Sequence, residues 1–176
     1  MKEDLLKIIQ SRRSVRRYSQ SQILDNDLQE ILKTGFSAPS AGNRQPWRIV
    51  IVRDRGKMEQ IASAAYGQTF LAGASVVLVV VAVPYESAER YGERGAELYA
   101  LQDTAALTQN ILLAALALEY ATCWIGAFNE DEVAKILNVP EGMRPVSIIP
   151  IGRLEGALPK ARPRKPIAEV VIEEAF

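Results

Sequence analysis

The sequence predicts an α+β fold in which a mixed, mainly antiparallel sheet is flanked by helices. Residues 76–83 form an apolar, β-branched run that is far shorter than a membrane-spanning helix and is typical of a strand buried on both faces. Residues 48–53 and 146–151 have the composition of further strands. Segments with apolar residues at helical spacing lie between these strands. A chain of 176 residues is long enough for a sizeable core, and we expect one domain over residues 1–176.

The predicted helices follow from apolar periodicity and from capping residues. We expect them over residues 5–11, 25–36, 57–65, 97–120 and 130–137. Asp25 can cap the second of these helices, and Asn129 can cap the last. In the long helix, residues 111–118 are apolar all round, so they must be buried on every side. For so small a domain, this pattern indicates a helix at a subunit interface.

The remaining segments complete the predicted order. Residues 84–95 read as a polar, tyrosine-bearing linker, and residues 122–125 as a short strand. Residues 156–166 contain three prolines and four basic residues, so this stretch should be extended and solvated. Residues 167–172 have strand character but no core left to join, so we expect them to pair with another subunit. The extension 156–176 would then embrace the partner of a homodimer.

The overall charge argues against some partners and compartments. The 21 basic and 21 acidic residues balance, so no global field favours nucleic acid or a membrane surface. The first eleven residues lack the apolar core of a secretory signal. Cys123 is the only cysteine, which excludes an intramolecular disulfide and fits a reducing compartment. We therefore expect a soluble cytoplasmic protein.

The absence of histidine limits the chemistry that the side chains can perform. It removes the usual general base, the usual zinc ligand and the usual member of a catalytic triad. If the chain is an enzyme, an organic cofactor is expected to carry the reaction, with no metal involved. A carboxylate-based hydrolase remains open, but no spacing singles out a pair of acids.

Residues 37–47, here called the amide loop, are a candidate ligand site. The loop sets small residues, two prolines and a glycine among amide and guanidinium side chains. Small residues let the backbone approach a flat ligand, and amides can both donate to and accept from a ring edge. A tight helix-to-strand connection without a ligand would have a similar composition, so the loop alone leaves both interpretations open.

Two basic clusters stand far apart in the sequence. Residues 12–17 carry four arginines around Ser14, and residues 160–165 carry two arginines and two lysines. Guanidinium groups hold phosphate bidentately and keep their charge. Each cluster alone is also typical of a solvated surface, and a nucleic-acid patch is weaker because no aromatic residues interleave. Convergence of both clusters on one phosphate would explain them better than two accidents.

Residues 124–128 end the short predicted strand with small residues. Ends of strands are favoured ligand sites, where small residues expose backbone N–H groups to a ligand edge. The alternative is an ordinary strand-to-helix turn. Cys123, inside the strand, is expected to be a buried apolar filler.

Together these segments resemble the FMN-dependent nitroreductase family over nearly the whole chain. Five motifs occur in the family's order, and five in order are far more specific than one. They are residues 12–16, similar to R-x-S-x-[RK]; 37–47, similar to S-P-S-x-x-N-x-Q-P-W; the helix from 102 to 118; 123–128, similar to C-W-I-G-A-F; and 158–162, similar to L-P-K-x-R.

The resemblance implies where each part of FMN would bind in a homodimer whose two sites are built from both subunits. The phosphate and ribityl chain would contact Arg12, Arg13, Ser14, Lys160 and Arg162. Arg16 would lie near the N1/O2 edge, where a fixed cation stabilises the negative charge that grows on reduction. The amides of Gly126 and Ala127, after Ile125, would face N5/O4. Gln68 is a looser candidate for a ring-edge contact. The amide loop would approach the ring from the other subunit through Pro39, Ser40, Ala41, Asn43 and Gln45.

The chain departs from the family at three places. Many relatives carry Gly-Leu-Gly after the central helix, whereas this chain has Glu119-Tyr120-Ala121, so we expect the turn to use another conformation. Some relatives carry a lysine near residue 70, but Phe70 lies here and leaves Arg16 without an obvious second cation. Residues 84–95 lie where the family shapes its substrate site. Because this segment is short, the resemblance does not indicate which substrate the chain binds.

The resemblance implies ping-pong hydride transfer through flavin N5. NADPH or NADH would deliver hydride and leave, and a nitroaromatic, quinone or similar small acceptor would use the same face. No side chain need be a catalytic acid or base, because protons would come from water, while Arg16, Gly126 and Ala127 would tune the flavin. The alternatives are flavin fragmentation, reductive dehalogenation, a non-catalytic FMN-binding or nucleotide-binding dimer, and an interaction domain without a ligand.

Overall fold

The structure is a computed structural model that describes the backbone of residues 2–176 and the side chains of residues 5–176; Met1 lies outside the described residues. The helices are α1 (Lys2–Ser11), α2 (Asp25–Gly35), α3 (Arg55–Ala64), α4 (Pro84–Arg94), α5 (Ala100–Ala117), α6 (Glu130–Leu137) and α7 (Ile167–Val170). The strands are β1 (Trp47–Val52), β2 (Val76–Ala82), β3 (Ala121–Thr122) and β4 (Arg144–Gly152). Within the described range, no helix has the length and hydropathy needed to cross a membrane.

The four strands form one sheet in the order β1-β2-β4-β3, and each neighbouring pair is antiparallel. Ser14 adds a parallel bridge to Thr122 of β3. The sheet is therefore mixed and mainly antiparallel, with helices packed against it. The predicted α+β fold class is confirmed.

Strand β2 lies at the centre of two hydrophobic cores, one on each face of the sheet. All of its residues are buried, as the sequence predicts. Val77 and its alternate neighbours pack in the core that holds Met58 of α3 and Val133 of α6. Val76 and its alternate neighbours pack in the core of α2 and α5, which includes Ile111. Each buried aliphatic side chain of this kind contributes about 1.5–3 kcal/mol, so β2 anchors both layers.

Helix α5 is not covered on every side by a single copy of the chain. Ile111 and Leu112 are buried, but Leu113 and Leu116 are half-buried and Ala117 is exposed. Burial on every side would therefore need a second copy of the chain, and the predicted subunit interface at this helix stays a prediction. A π-helical turn, Gly95–Tyr99, precedes α5, so the predicted long helix is a π turn followed by a regular helix.

The turn after α5 closes with the conformation that glycine favours. Glu119 has φ 62°, its N–H donates to Leu116 O at 2.9 Å, and Tyr120 N–H donates to Ala115 O at 2.8 Å. This is the Schellman hydrogen-bond pattern. Arg153 Nη1 donates to Glu119 O at 3.1 Å, and its guanidinium lies 4.1 Å from the centroid of the Tyr120 ring. The expectation that a chain without glycine must use another turn is wrong, because these contacts hold Glu119 in place.

The polar segment 84–95 differs from its prediction. The predicted linker 84–95 contains α4, which begins at Pro84. Proline suits the first position of a helix because the N–H that it lacks would have no partner within the helix. Arg44 pairs with Glu89 of this helix, and Arg48 pairs with Glu86. These long-range ion pairs help hold α4 against the rest of the chain and are not visible in the local sequence pattern.

Asp25 does not cap α2. It is the first helical residue, Leu24 occupies the cap position, and the Asp25 carboxylate pairs with Arg53. Asn129 does cap α6, because its side chain accepts the N–H of Glu132 at 3.1 Å.

The two short strands predicted near the carboxyl half are also corrected. β3 covers only Ala121–Thr122, and after a break Ile125 forms a single bridge with Ile148. Residues 167–172 form no strand, and Ile167–Val170 is an exposed helical turn instead. A strand needs partners for its N–H and C=O groups, and the described residues offer this segment only local ones. Residues 157–166 have no regular structure and are exposed, as predicted.

Candidate functional site

The two basic clusters line one cleft of about 1240 Å³. It brings together the residues predicted to hold a phosphate and ribityl chain, which are 150 positions apart at the extremes, from Arg12 to Arg162. Arg16, Gln109 of α5 and Pro159 also line it. No acidic side chain lies among the described residues of the lining, so the field in the cleft is positive.

The first arginine cluster is fixed against the edge of the sheet. Val15 N–H donates to Thr122 O at 2.9 Å, next to the bridge between Ser14 and Thr122. Tyr18 Oη donates to Val15 O at 2.7 Å and is buried. Burial raises the pKa of Tyr18 far above its ordinary value, so the phenol stays protonated and keeps donating. Backbone bonds thus set the position from which the arginines enter the cleft.

Arg13 has a hydrogen-bond donor without a partner. Its Nη1 donates to Gln10 O at 2.8 Å and to Arg12 O at 3.0 Å, but its Nε is buried and unpaired. A buried donor left unpaired costs about 1–3 kcal/mol. An anion in the cleft that accepts this N–H would remove the cost. The orphaned donor and the positive lining fit a phosphate group.

Two further contacts involve predicted residues, one between Arg16 and Phe70 and one between Gln68 and Ala127. The Arg16 guanidinium lies 5.7 Å from the centroid of the Phe70 ring, so this ring partners Arg16 where some relatives place a lysine. Gln68 Nε2 donates to Ala127 O at 3.1 Å and to Ala65 O at 3.0 Å. The amide nitrogen of Gln68 therefore already donates to two backbone carbonyls, and through one of them it holds the segment at Ala127.

The backbone at Gly126 and Ala127 is exposed. Ile125, just before it, is anchored by N–H to O bonds of 2.9 and 3.0 Å with Ile148. The N–H groups of Gly126 and Ala127 find no acceptor in the described part of the chain. Two free donors on an anchored, exposed segment suit the edge of a heterocycle, which stays a prediction for this position.

Cys123 lies beside the arginine cluster and is buried, as expected. Burial raises the pKa of its thiol, although the charges of Arg16 and Arg12 and a hydrogen bond from Ser14 act in the opposite direction. The thiol therefore stays neutral near pH 7 and is neither a nucleophile nor a metal ligand.

The amide loop lies elsewhere on the single chain. Its residues Pro39–Gln45 are not among the described residues that line the basic cleft. The loop is tightly wound, with φ of 55° at Asn43 and 50° at Gln45. Ser40 Oγ accepts Gln45 N–H at 3.0 Å, and Gln45 Nε2 lies 3.3 Å from Asn43 Oδ1. One copy of the chain therefore does not join the loop to the cleft.

Asp103 is a residue that the sequence patterns did not single out; with Gln102 it belongs to a polar stripe on the long helix. Its carboxylate oxygens accept Ala41 N–H at 3.1 and 3.2 Å, and the residue is buried. Burial raises the pKa of Asp103, against the lowering effect of that bond. Asp103 therefore fixes the amide loop to α5. Its position on a helical stripe gave no signal, because its partner lies 62 residues away.

The chain is similar to known proteins both in sequence and in fold. A sequence model described as the nitroreductase family matches residues 9–69 and 56–153. A candidate NADH dehydrogenase/NAD(P)H nitroreductase of Archaeoglobus fulgidus is 40% identical over 155 residues, which cover 85% of each chain. The NADPH:FMN oxidoreductase of Vibrio harveyi, solved in complex with NAD⁺, superposes with a TM-score of 0.90 at 26% identity over 98% of this chain and 78% of that one. NfrA2 of B. megaterium gives a TM-score of 0.90 at 26% identity, over 98% and 75%.

Proposed function

This chain belongs to the nitroreductase family, and from that premise we propose that it is an FMN-dependent NAD(P)H oxidoreductase. The observation that carries the proposal is the basic cleft, where two distant clusters converge and Arg13 keeps a buried donor unpaired. The similar Vibrio harveyi protein is named an NADPH:FMN oxidoreductase, which supports the same cofactor here.

The residues of the cleft would hold the phosphate end of FMN. Guanidinium groups bind phosphate through paired N–H donors, and the free Nε of Arg13 is available for one of them. The backbone bonds that fix Val15 and Tyr18 keep the cluster rigid, which reduces the ordering cost of binding. The proposed phosphate and ribityl contacts are Arg12, Arg13, Ser14, Lys160 and Arg162.

The residues around Phe70 would face the ring. When bound, FMN would supply the redox chemistry, taking hydride from NADPH or NADH and passing two electrons to an acceptor. Arg16 would place a fixed positive charge near the ring, and the free N–H groups of Gly126 and Ala127 would donate to its edge. Gln68 would position that segment by holding Ala127 O.

No side chain of the chain is proposed as a catalytic acid or base. Tyr18 and Cys123 both lie near Arg16, but burial raises the pKa of each, so neither supplies a base near pH 7. Protons would come from water at the open side of the site. The proposed acceptors are nitroaromatics, quinones or similar small molecules that can take two electrons.

The proposed working form is a single-domain homodimer in the cytoplasm. The incompletely covered face of α5 supports a subunit contact, and the absence of the loop from the described lining of the cleft supports a site built from two copies. In the dimer, Pro39–Gln45 of one copy would approach the ring held by the other. The exposed extension 156–176 would pack against the partner. The single cysteine suits a reducing compartment.

Substitution of Arg13 by Lys tests the proposed phosphate site. Lys keeps the positive charge but cannot replace the Nε–H donor, so the Kd for FMN should rise about tenfold or more, as loss of a charge-assisted bond predicts. Quenching of FMN fluorescence on titration with apoprotein gives the Kd. Arg55→Lys makes the same change on the exposed surface of α3 and should leave the Kd unchanged. Equal FMN affinity in wild type and Arg13→Lys would contradict the proposal that the phosphate of FMN binds in this cleft.

A further inference from the structure

Two arginines on α4 make no ion pair among the described residues. Arg90 and Arg94 are exposed and take part in none of the recorded salt bridges, whereas Arg44 and Arg48 beside the same helix are neutralised by its glutamates. Glu93 lies in the same segment but does not pair with either arginine. Both guanidinium groups therefore keep N–H donors free for another anion.

Tyrosine rings hold these two guanidinium groups in place. Arg90 lies 5.5 Å from the centroid of the Tyr91 ring, and Arg94 lies 5.4 Å from the centroid of the Tyr99 ring. Arg94 Nε donates to Tyr99 Oη at 3.0 Å, and the two rings meet edge to face at 5.2 Å. Arg90, Tyr91, Arg94 and Tyr99 form a unit that we call the arginine–tyrosine cluster. Its stacked arginines lose less freedom on binding an anion than unsupported surface arginines would.

The arginine–tyrosine cluster packs directly on the amide loop. A Cβ atom added at Gly42 would lie 2.5 Å from Tyr91 Oη and 3.0 Å from Arg90 Nη1, so a side chain at this position would displace the ends of both residues. Gly42 also has φ 56°, a backbone conformation that side chains disfavour. In the proposed dimer, where the amide loop approaches the flavin ring, this contact would bring the cluster toward the same ring.

We propose that the arginine–tyrosine cluster binds the phosphate groups of the nicotinamide electron donor and favours NADPH over NADH. This inference rests on the proposed function. A dihydronicotinamide stacked on the ring has its ribose and phosphates extending past the ring edge, and NADPH adds a 2′-phosphate that arginine accommodates. The proposed acceptors have no comparable anionic group, so unpaired guanidinium groups at this place suit the donor rather than the acceptor.

Anaerobic stopped-flow reduction of the bound flavin tests the role of the cluster. In Arg90→Gln/Arg94→Gln, the apparent Kd for NADPH should rise at least about tenfold, and the Kd for NADH should rise less. Uncharged 1-benzyl-1,4-dihydronicotinamide has no phosphate, so it should reduce wild type and variant at equal rates. Arg55→Gln removes one exposed arginine charge from α3, outside the cluster, and should resemble wild type with every donor.

A direct binding measurement separates failure of the cluster from failure of the proposed function. Titration calorimetry of FMN-supplemented protein with adenosine 2′,5′-bisphosphate needs no flavin reduction, and it should show binding that weakens about tenfold in the double variant. Unchanged affinity for this probe, or an unchanged Kd for NADPH, would overturn the inference. If NADPH and NADH fail to reduce the wild-type flavin, the proposed donor chemistry is wrong, and the calorimetry alone decides whether the cluster binds phosphate.

Discussion

At the scale of single residues, Asp103 is a buried acid that fixes the amide loop to α5. Its carboxylate is buried, and one backbone N–H, that of Ala41, is its recorded hydrogen-bond donor. Burial raises its pKa, which means that the charged form is disfavoured in the folded state. The fold nevertheless keeps an acid there, because the loop's Ala41 N–H needs an acceptor.

Two substitutions at Asp103 distinguish the contribution of its hydrogen-bond acceptor to stability from the cost of burying its charge. Asp103→Ala removes the acceptor and should destabilise the fold by about 1 kcal/mol, whereas Asp103→Asn keeps an acceptor and removes the cost of burying charge. Urea unfolding gives both free energies. A variant Asp103→Asn that is less stable at pH 7 than Asp103→Ala would contradict this account of the carboxylate.

The pH dependence of unfolding follows from the sign of the shift. Because the folded pKa is raised, protonation of Asp103 stabilises the fold, and this contribution is full below the ordinary aspartate pKa near pH 4. It is lost as the pH rises through the raised value. Compared with Asp103→Asn, wild type should therefore lose stability over that interval, and the difference between the two proteins should be constant at higher pH.

The cluster residues of the cleft could be predicted from the sequence, whereas Asp103 could not. The clusters at residues 12–17 and 160–165 are visible in the sequence because basic side chains are concentrated there in a chain without net charge. A single aspartate on a helical stripe looks the same whether it is solvated or buried. Only the fold brings Ala41 to it, across 62 residues.

At the scale of elements, the end of α5 shows how a chain closes a helix without glycine. Glu119 adopts φ 62°, and Arg153 compensates by donating to the carbonyls of Leu118 and Glu119, just after the helix. The exposed ion pair between Arg153 and Glu119, at 3.6 Å, contributes little because solvent screens it. The left-handed conformation of a residue with a Cβ costs about 1–2 kcal/mol.

Glu119→Gly should therefore stabilise the protein by about 1 kcal/mol, measured as the change in the free energy of unfolding. Asn138 ends α6 with φ 51°, and asparagine tolerates this region better, so Asn138→Gly is the matched control with a smaller gain. A Glu119→Gly variant less stable than wild type would show that the carboxylate contributes more than its screened pair with Arg153.

The elements that sequence patterns predicted are those whose signals are local. β2 follows from seven consecutive apolar residues, and α6 from Asn129 and an amphipathic stretch. Helix α4 is polar, and its ion pairs with Arg44 and Arg48 span 45 and 38 residues. Because these partners are distant in the sequence, the local composition predicted a linker instead of a helix. The predicted strand at 167–172 has the right residue types but no edge to pair with in one copy of the chain.

At the scale of the whole molecule, exposed apolar side chains are grouped on both terminal segments. Leu5, Leu6 and Ile9 of α1 are each about half exposed. In the carboxyl-terminal extension, Ile167 is 77% exposed and Phe176 is fully exposed. Exposed apolar residues grouped on terminal segments are typical of surfaces that another subunit covers.

Deletion of residues 167–176 should weaken the proposed dimer, because it removes the apolar residues that would pack on the partner. Sedimentation velocity over a dilution series measures the dissociation constant. Leu24→Glu alters an equally exposed apolar side chain outside this extension and should leave the dimer intact. A truncated chain that stays dimeric down to the dilution limit of wild type would count against an exchanged extension.

The most direct test of the whole account is the visible absorption spectrum of the purified protein supplemented with FMN, recorded before and after anaerobic addition of NADPH and then NADH. The account predicts a bound-flavin spectrum that bleaches with at least one nucleotide, and with NADPH at the lower concentration. Bound flavin that neither nucleotide bleaches would contradict the oxidoreductase and leave a flavin-binding dimer. Absence of any bound flavin would contradict the assignment of the basic cleft itself.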